Sequence, residues 1–364
     1  MRLVSPLLKH VVYPGLARTG YLGRRGGAGP AIVTYHGVLP RGYRVRDADL
    51  DGSLVSAESF RAQLQLLKER YHVITPLQFL QWCESGEELP ARSVLLTCDD
   101  GLRNTLTEMV PILQDLRLAC LFFVTGASLS NVSGMLWHEE LRLMLLCGGE
   151  GFTIQLAGIG PEVRVASSEE NRTLWWRLVK SLSRLDINAR RRLLGEIRDQ
   201  LSLPENWNTR YLQDQAGSSR FLVLNREELE QLVAAGMSVG AHSLSHPVLS
   251  LLSSEAAWEE VAESRHGLEQ ALGSKVWAFA YPFGDAFSVT QREVELVERA
   301  GFACAFLNVG GGFGAKTTRF ALPRVHVTRE MSPAEFEAHA SGFYGSLRRR
   351  FLGEAGSATV GLEA

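Results

Sequence analysis

Val94-Leu95-Leu96-Thr97-Cys98-Asp99-Asp100-Gly101 carries an apolar run straight into two adjacent carboxylates and a glycine. A short continuous run of this kind, ended by a turn signal, reads as a strand buried on both faces. A helix is expected next over residues 104–116, and Leu121-Phe122-Phe123-Val124 forms a second buried strand. Strand, helix and strand in this order argue for a parallel sheet, and in parallel α/β architectures reactive groups belong at the carboxyl ends of the strands. Upstream, Ala31–Tyr35 is β-rich and follows Gly26-Gly27-Ala28-Gly29-Pro30, so the folded domain is expected to begin at residue 31. Phe60, Leu64, Leu67 and Tyr71 then recur at helical spacing over Ala57–Arg70.

The same alternation resumes after residue 220. Asn225 with Glu228 and Thr290 with Glu293 have the spacing of N-terminal capping pairs, and Ser332 with Glu335 opens a last helix over 333–344. Gly236, Gly273 and Gly301 follow predicted helix ends. Strands are expected at Ser238–Ala241, 276–280 and 303–306. Asp99, His242, Tyr281 and Arg324 all fall at carboxyl ends or beside them. Between the halves the rhythm breaks: Asp99 and His242 are 143 positions apart (242 minus 99), far more than one βαβ step needs. Residues 127–220 hold Trp137, Trp175, Trp176 and Trp207 and a basic helical stretch over 188–201. This segment reads as a mainly helical cap over one face of the barrel, its tryptophans serving as sugar platforms or as buried anchors. Residues 346–364 have little to bury and are expected to be disordered.

A chain of 364 residues with 45% hydrophobic and 21% charged residues is ordinary globular material, and a net charge of −2 gives no electrostatic case for nucleic acid. The five cysteines show no Cys-x-x-Cys spacing, which favours a reducing compartment over a disulfide scaffold. No run of 18 apolar residues suggests a membrane span. Residues 1–30 contain no acid, the first being Asp47, and interleave Arg2, Lys9, Arg18, Arg24 and Arg25 with Leu and Val. A basic amphipathic leader like this fits peripheral contact with a membrane surface through residues 1–28; packing on the barrel is the alternative. Val11-Val12-Tyr13 is broken by Pro14-Gly15, which is not the apolar stretch of a signal peptide, so a cytoplasmic location is expected, peripheral at the inner membrane face if the leader binds lipid.

The chemistry gathers in three motifs. An aspartate from Asp99-Asp100 and both imidazoles of His242-Ser243-Leu244-Ser245-His246 make three metal ligands, with the second aspartate spare. Catalytic metal sites commonly use three protein ligands and keep one position open. A bound divalent metal polarises a carbonyl and lowers the pKa of water, the two things amide hydrolysis needs. The spacing of four places both imidazoles on one side of a helical turn. Two histidines and one carboxylate suit zinc, with cobalt, nickel and iron sharing the preference. Tyr281-Pro282-Phe283-Gly284 is a turn lining the site, whose Phe283 N–H can join in stabilising an oxyanion while Pro282 has none to give.

Together these motifs resemble the polysaccharide deacetylase family (NodB-homology, carbohydrate esterase family 4), over roughly residues 31–126 and 221–345. That family opens with Thr-Phe-Asp-Asp-Gly, here with Cys98 in place of Phe, and continues with a His-Ser/Thr-x-x-His motif and a Tyr-Pro-x-Gly turn. Tyr35-His36-Gly37-Val38 and Leu322-Pro323-Arg324-Val325 are similar to its exopolysaccharide and surface-glycan branch. The resemblance implies a distorted (β/α)7-8 barrel spanning 31–345 and interrupted by the cap. It also implies Asp99 as general base, Asp100, His242 and His246 as ligands, and an acetylated glycan or its lipid-linked precursor as substrate. Ala280 stands where many members carry an Arg that orients the catalytic aspartate; Arg324 can supply that guanidinium. For protonating the leaving amine, His326 shares a strand face with Arg324, and His36 at the end of the first strand is the rival. Hydrolysis of a different small-molecule amide, or a non-catalytic glycan-binding relic, are the competing readings.

Overall fold

The computed structural model of the protein describes residues 5–24, 29–156, 162–310, 313 and 317–352. Its centre is a parallel sheet of eight strands: β1 (Ala31–Tyr35), β2 (His72–Ile74), β3 (Ser93–Cys98) and β4 (Leu121–Val124), then, beyond a two-stranded antiparallel hairpin of β5 (Phe152–Ile154) and β6 (Val163–Val165), β7 (Ser238–Ala241), β8 (Ala278–Ala280), β9 (Cys304–Phe306) and β10 (Val325–His326). The order across the sheet is β10-β1-β3-β4-β7-β8-β9, with β2 sharing an edge of β3 with β4. The two ends of this order meet. The segment leading into β10 pairs with β9, Leu307 N–H donating to Leu322 O and Leu322 N–H to Ala305 O, both at 2.9 Å. The sheet thereby closes as the barrel of the expected class.

Strand alternation divides the apolar residues between two cores. Leu95, Leu121, Phe123, Ala278, Ala280, Cys304 and Phe306 fill the barrel interior together with Phe79. Their neighbours Val94, Leu96, Cys98, Phe122, Val124, Phe279 and Ala305 pack outward against helix residues such as Phe60, Leu64, Leu229 and Val261. Both faces of each strand are covered, so no alternation of polarity shows in the sequence. Parity places Asp99 and His242, like Leu95 and Thr97, toward the inside, while Cys98 turns outward onto Met109, 3.7 Å away.

Several local expectations need correction. Residues 105–109 form a wide helical turn in which Val110 N–H reaches Thr105 O, before the regular helix Val110–Asp115; Pro111 has no N–H to give the i−4 carbonyl. The last helix stops at Ala340, and after Gly342 (φ +71°) a second one runs over Phe343–Leu352. The expected disordered tail is therefore helical as far as Leu352, and residues 353–364 lie outside the described residues. Residues 5–24 pack on the barrel: Tyr13 and Leu22 are buried with Ala338, and Lys9 pairs with Glu335 at 2.9 Å, while Leu7 and Val11 stay exposed.

The cap has its own core of Trp137, Leu141, Trp175, Leu178, Ile197, Trp207 and Phe221. Trp137, Trp175 and Trp207 are buried anchors, and Trp176 is 40% exposed. Ion pairs fix the cap to the segment after β1. Arg220, fully buried, donates to Asp51 at 2.7 Å, to Glu139 at 2.8 and 3.1 Å and to Leu50 O at 2.8 Å, and Arg142 pairs with Asp47 at 2.9 Å. Removing one partner from such a network leaves buried charge uncompensated. Arg220→Ala should destabilise the protein by about 3–5 kcal/mol in chemical denaturation, and a loss below about 1 kcal/mol would show that the network is not what fastens the cap.

Candidate metal centre

Asp99 directly follows β3, its N–H donating to Tyr35 O at 2.9 Å as a last rung of the ladder. The next two residues are left-handed, Asp100 at φ +73° and Gly101 at φ +65°. A Cβ on Gly101 would lie 3.0 Å from Val124, so glycine satisfies both the φ and the space. This reversal sends the two carboxylates apart.

The Asp99 carboxylate stays in the barrel interior. Arg324 Nη1 donates to Oδ1 at 2.7 Å and Nη2 to Oδ2 at 2.5 Å, both side chains being buried. Arg324 comes from the segment closing the barrel; its Nε donates to Leu307 O at 2.8 Å, and its guanidinium lies near the rings of Phe123 and Phe306. Burial pushes the Asp99 carboxyl up, but the charge of Arg324, assisted by His242, pulls it below the usual carboxylate range.

Asp100 faces the two histidines, with Oδ1 3.5 Å from His242 Nε2 and 3.3 Å from His246 Nε2. One ligand atom from each of the three lies within 4.8 Å of the others. His242 Nδ1 sits 2.7 Å from Ala280 O, which assigns the proton to Nδ1 and leaves the Nε2 lone pair facing Asp100. An open set of two imidazole nitrogens and a carboxylate oxygen fits a divalent cation. The histidines do not lie on a helical turn as their spacing suggested. They bracket an irregular loop in which Ser243 and His246 both take positive φ, +60° and +56°.

The three groups open on a cleft of about 590 Å³ between barrel and cap. His36 and His326 line it beside Asp99; their rings are 4.6 Å apart, and His36 Nε2 is 4.0 Å from Asp99 Oδ2. Burial, and His36 next to it, push His326 down to about 3, so it is neutral near pH 7. Phe283 (φ +61°) packs its ring 5.0 Å from that of His246, and its N–H makes no hydrogen bond among the described residues. Gly284 (φ +59°) closes the turn, its O accepting from Asn308 N–H at 2.8 Å. Tyr281 reaches the cleft wall, but its hydroxyl is spent on Phe320 O at 3.0 Å.

Sequence reasoning passed over two cleft residues, His138 and Asn308. His138 stacks on His246 from the cap at 4.7 Å, and nothing in its spacing signals this. Burial, then the neighbouring His246, push His138 down to about 3. Of the tryptophans weighed as sugar platforms or buried anchors, Trp176 lines the cap side of the cleft. Asn308 lies two residues past β9, where the rule about strand carboxyl ends was sufficient to find it.

The family model described as polysaccharide deacetylase matches residues 170–305, a stretch that takes in both histidines of the loop and the Tyr281–Gly284 turn but not Asp99 or Asp100. No curated protein matches the chain by sequence. Among solved structures, the chain is similar to the Streptococcus pyogenes deacetylase PplD in complex with acetate, at 17% identity and a TM-score of 0.52, over 85% of this chain and 96% of that one. It is similar to IcaB from Ammonifex degensii at 20% identity and a TM-score of 0.54, over 87% and 98%. A de-N-acetylase from Aggregatibacter actinomycetemcomitans aligns at 11% identity and a TM-score of 0.50, over 85% and 99%. At these identities the likeness is one of fold.

Arg324→Ala strands a buried carboxylate, so Arg324→Lys, which keeps the charge without the fork, is the cleaner variant. It should remain folded, turn over more slowly and shift the acid limb of the pH–rate profile to higher pH, because a less well paired Asp99 titrates higher. A Lys variant with the wild-type rate and profile would show that the fork does not set Asp99.

Proposed function

We propose that this chain is a polysaccharide deacetylase that removes acetyl groups from N-acetylated sugars of a bacterial surface polysaccharide or its lipid-linked precursor by metal-assisted hydrolysis, a reading supported by the family model over residues 170–305 and by the likeness of fold. The observation that carries this reading is the pairing of two unlike carboxylates: Asp100 facing two imidazoles, and Asp99 beside it locked to Arg324. Asp100, His242 and His246 would hold a divalent cation, zinc first among the candidates, which would supply polarisation of the acetyl carbonyl and acidification of water.

The remaining work falls to the protein. Asp99, kept ionised by Arg324, accepts a proton from the attacking water. The Phe283 N–H is free to donate to the carbonyl oxygen as negative charge develops on it. His36, within 4.0 Å of Asp99, delivers a proton to the amide nitrogen as the C–N bond breaks, leaving acetate and a free amine. His326, neutral and 4.6 Å away, orients the His36 ring.

The test is acetate release from N-acetylated chitooligosaccharides by the metal-loaded protein. Asp99→Asn should keep its metal and lose activity by about 10²-fold or more. His36→Ala should lower kcat more than His326→Ala. Metal loss in Asp99→Asn would exchange the roles of the two aspartates. A fully metal-loaded wild type that releases no acetate from any N-acetylated sugar would sink the deacetylase reading.

Peripheral membrane contact through the leader is a separate part of the proposal. It rests on exposed Leu7 and Val11 beside a basic, acid-free sequence. Deleting the leader also removes buried Tyr13 and Leu22, so the informative variant is Leu7→Ser with Val11→Ser. It should sediment less with anionic liposomes than wild type at low salt; equal sedimentation would refute the anchoring role.

A further inference from the structure

The loop carrying His242 and His246 is held from two sides. The barrel side secures its first part: Gly126 N–H donates to Ser243 O at 3.1 Å, Leu244 N–H to Glu260 O at 3.0 Å, and Ser245 N–H to the Glu260 carboxylate at 2.8 Å. The cap secures its end. Trp137 Nε1–H donates to His246 O at 2.9 Å, and Arg190 Nη1 donates to Ser245 O at 3.0 Å and to Ser245 Oγ at 3.1 Å. The Arg190 guanidinium lies 4.7 Å from the Trp137 ring centroid, and its other donors bind Leu182 O and Leu185 O within the cap. Both side chains are buried.

These contacts fall where the loop is most strained. Ser243 and His246 are non-glycine residues in the left-handed region, each costing on the order of 1–3 kcal/mol unless surrounding contacts enforce it. The His246 N–H is bound by Ser243 Oγ, inside the loop itself. Its carbonyl is bound by Trp137, and its Nδ1 has no partner among the described residues. Its ring packs against His138 of the cap, Phe283 and His242, with Nε2 3.3 Å from Asp100 Oδ1.

We infer that the 127–220 insertion is part of the metal centre, with Trp137 and Arg190 acting as positioning residues that hold His246 in its ligating conformation. The inference rests on the ligand set proposed above. A barrel without these two contacts keeps Asp100 and His242 in place and frees the third ligand. Loss of an outer partner of a metal ligand typically weakens affinity about 10- to 100-fold.

The experiment measures Zn²⁺ affinity by chelator competition, and the visible spectrum of the Co²⁺-substituted protein, for wild type, Trp137→Phe, Arg190→Met and Tyr211→Phe. The first two variants remove the donors and keep apolar bulk. The third removes a cap hydroxyl that contacts Cys147 and Arg210 and touches nothing in the loop. Trp137→Phe and Arg190→Met should each bind Zn²⁺ about 10-fold more weakly and alter the Co²⁺ spectrum, with Tyr211→Phe like wild type. Wild-type affinity in both donor variants, or equal weakening in Tyr211→Phe, overturns the inference while leaving the ligand set standing. A wild type that takes up neither metal refutes the ligand set and the inference with it.

Discussion

The buried fork between Asp99 and Arg324 is the constraint on which the site depends. It joins the carboxyl end of β3 to the segment that closes the barrel between β9 and β10, so barrel closure and carboxylate orientation are one event. A carboxylate this deep is costly unless paired, and a bidentate guanidinium compensates it in a fixed direction. With Asp99 committed inward, the left-handed turn at Asp100 delivers the second carboxylate to the histidines. Adjacent residues of one type thus acquire different surroundings, one from the Arg324 fork and the other from the left-handed turn.

Much of this was legible in the sequence because it is local. The cap pairs Asn225 with Glu228 and Thr290 with Glu293 form reciprocal hydrogen bonds, and the strands at 121–124 and 238–241 lie where apolar runs placed them. That the Asp99-Asp100 pair meets His242 and His246 followed from strand ends in a parallel architecture, while the choice of Asp100 over Asp99 came from the family resemblance. Arg324 was reached by asking what could replace a guanidinium missing at Ala280, and it lies against Asp99.

What stayed hidden depends on long-range packing. A His-x-x-x-His spacing reads as a helical turn because nothing local announces that Ser243 and His246 take positive φ; that conformation is imposed by Glu260, Gly126 and the cap. His138 gave no signal because its partner is 108 positions away (246 minus 138). The cap's docking through Arg220, Asp51 and Glu139 is equally nonlocal. The helix after Gly342 was missed because residues 346–364 together read as a tail with little to bury.

The central claim is that the two aspartates divide base and ligand between them, and a crystal structure of the Zn²⁺-loaded protein with anomalous data tests it most directly. The account predicts one peak about 2.0–2.2 Å from a carboxylate oxygen of Asp100 and from Nε2 of His242 and His246, with Asp99 uncoordinated and still forked to Arg324. An ion ligated by Asp99, or one seated at His36 and His326 with the Asp100 site empty, would contradict it.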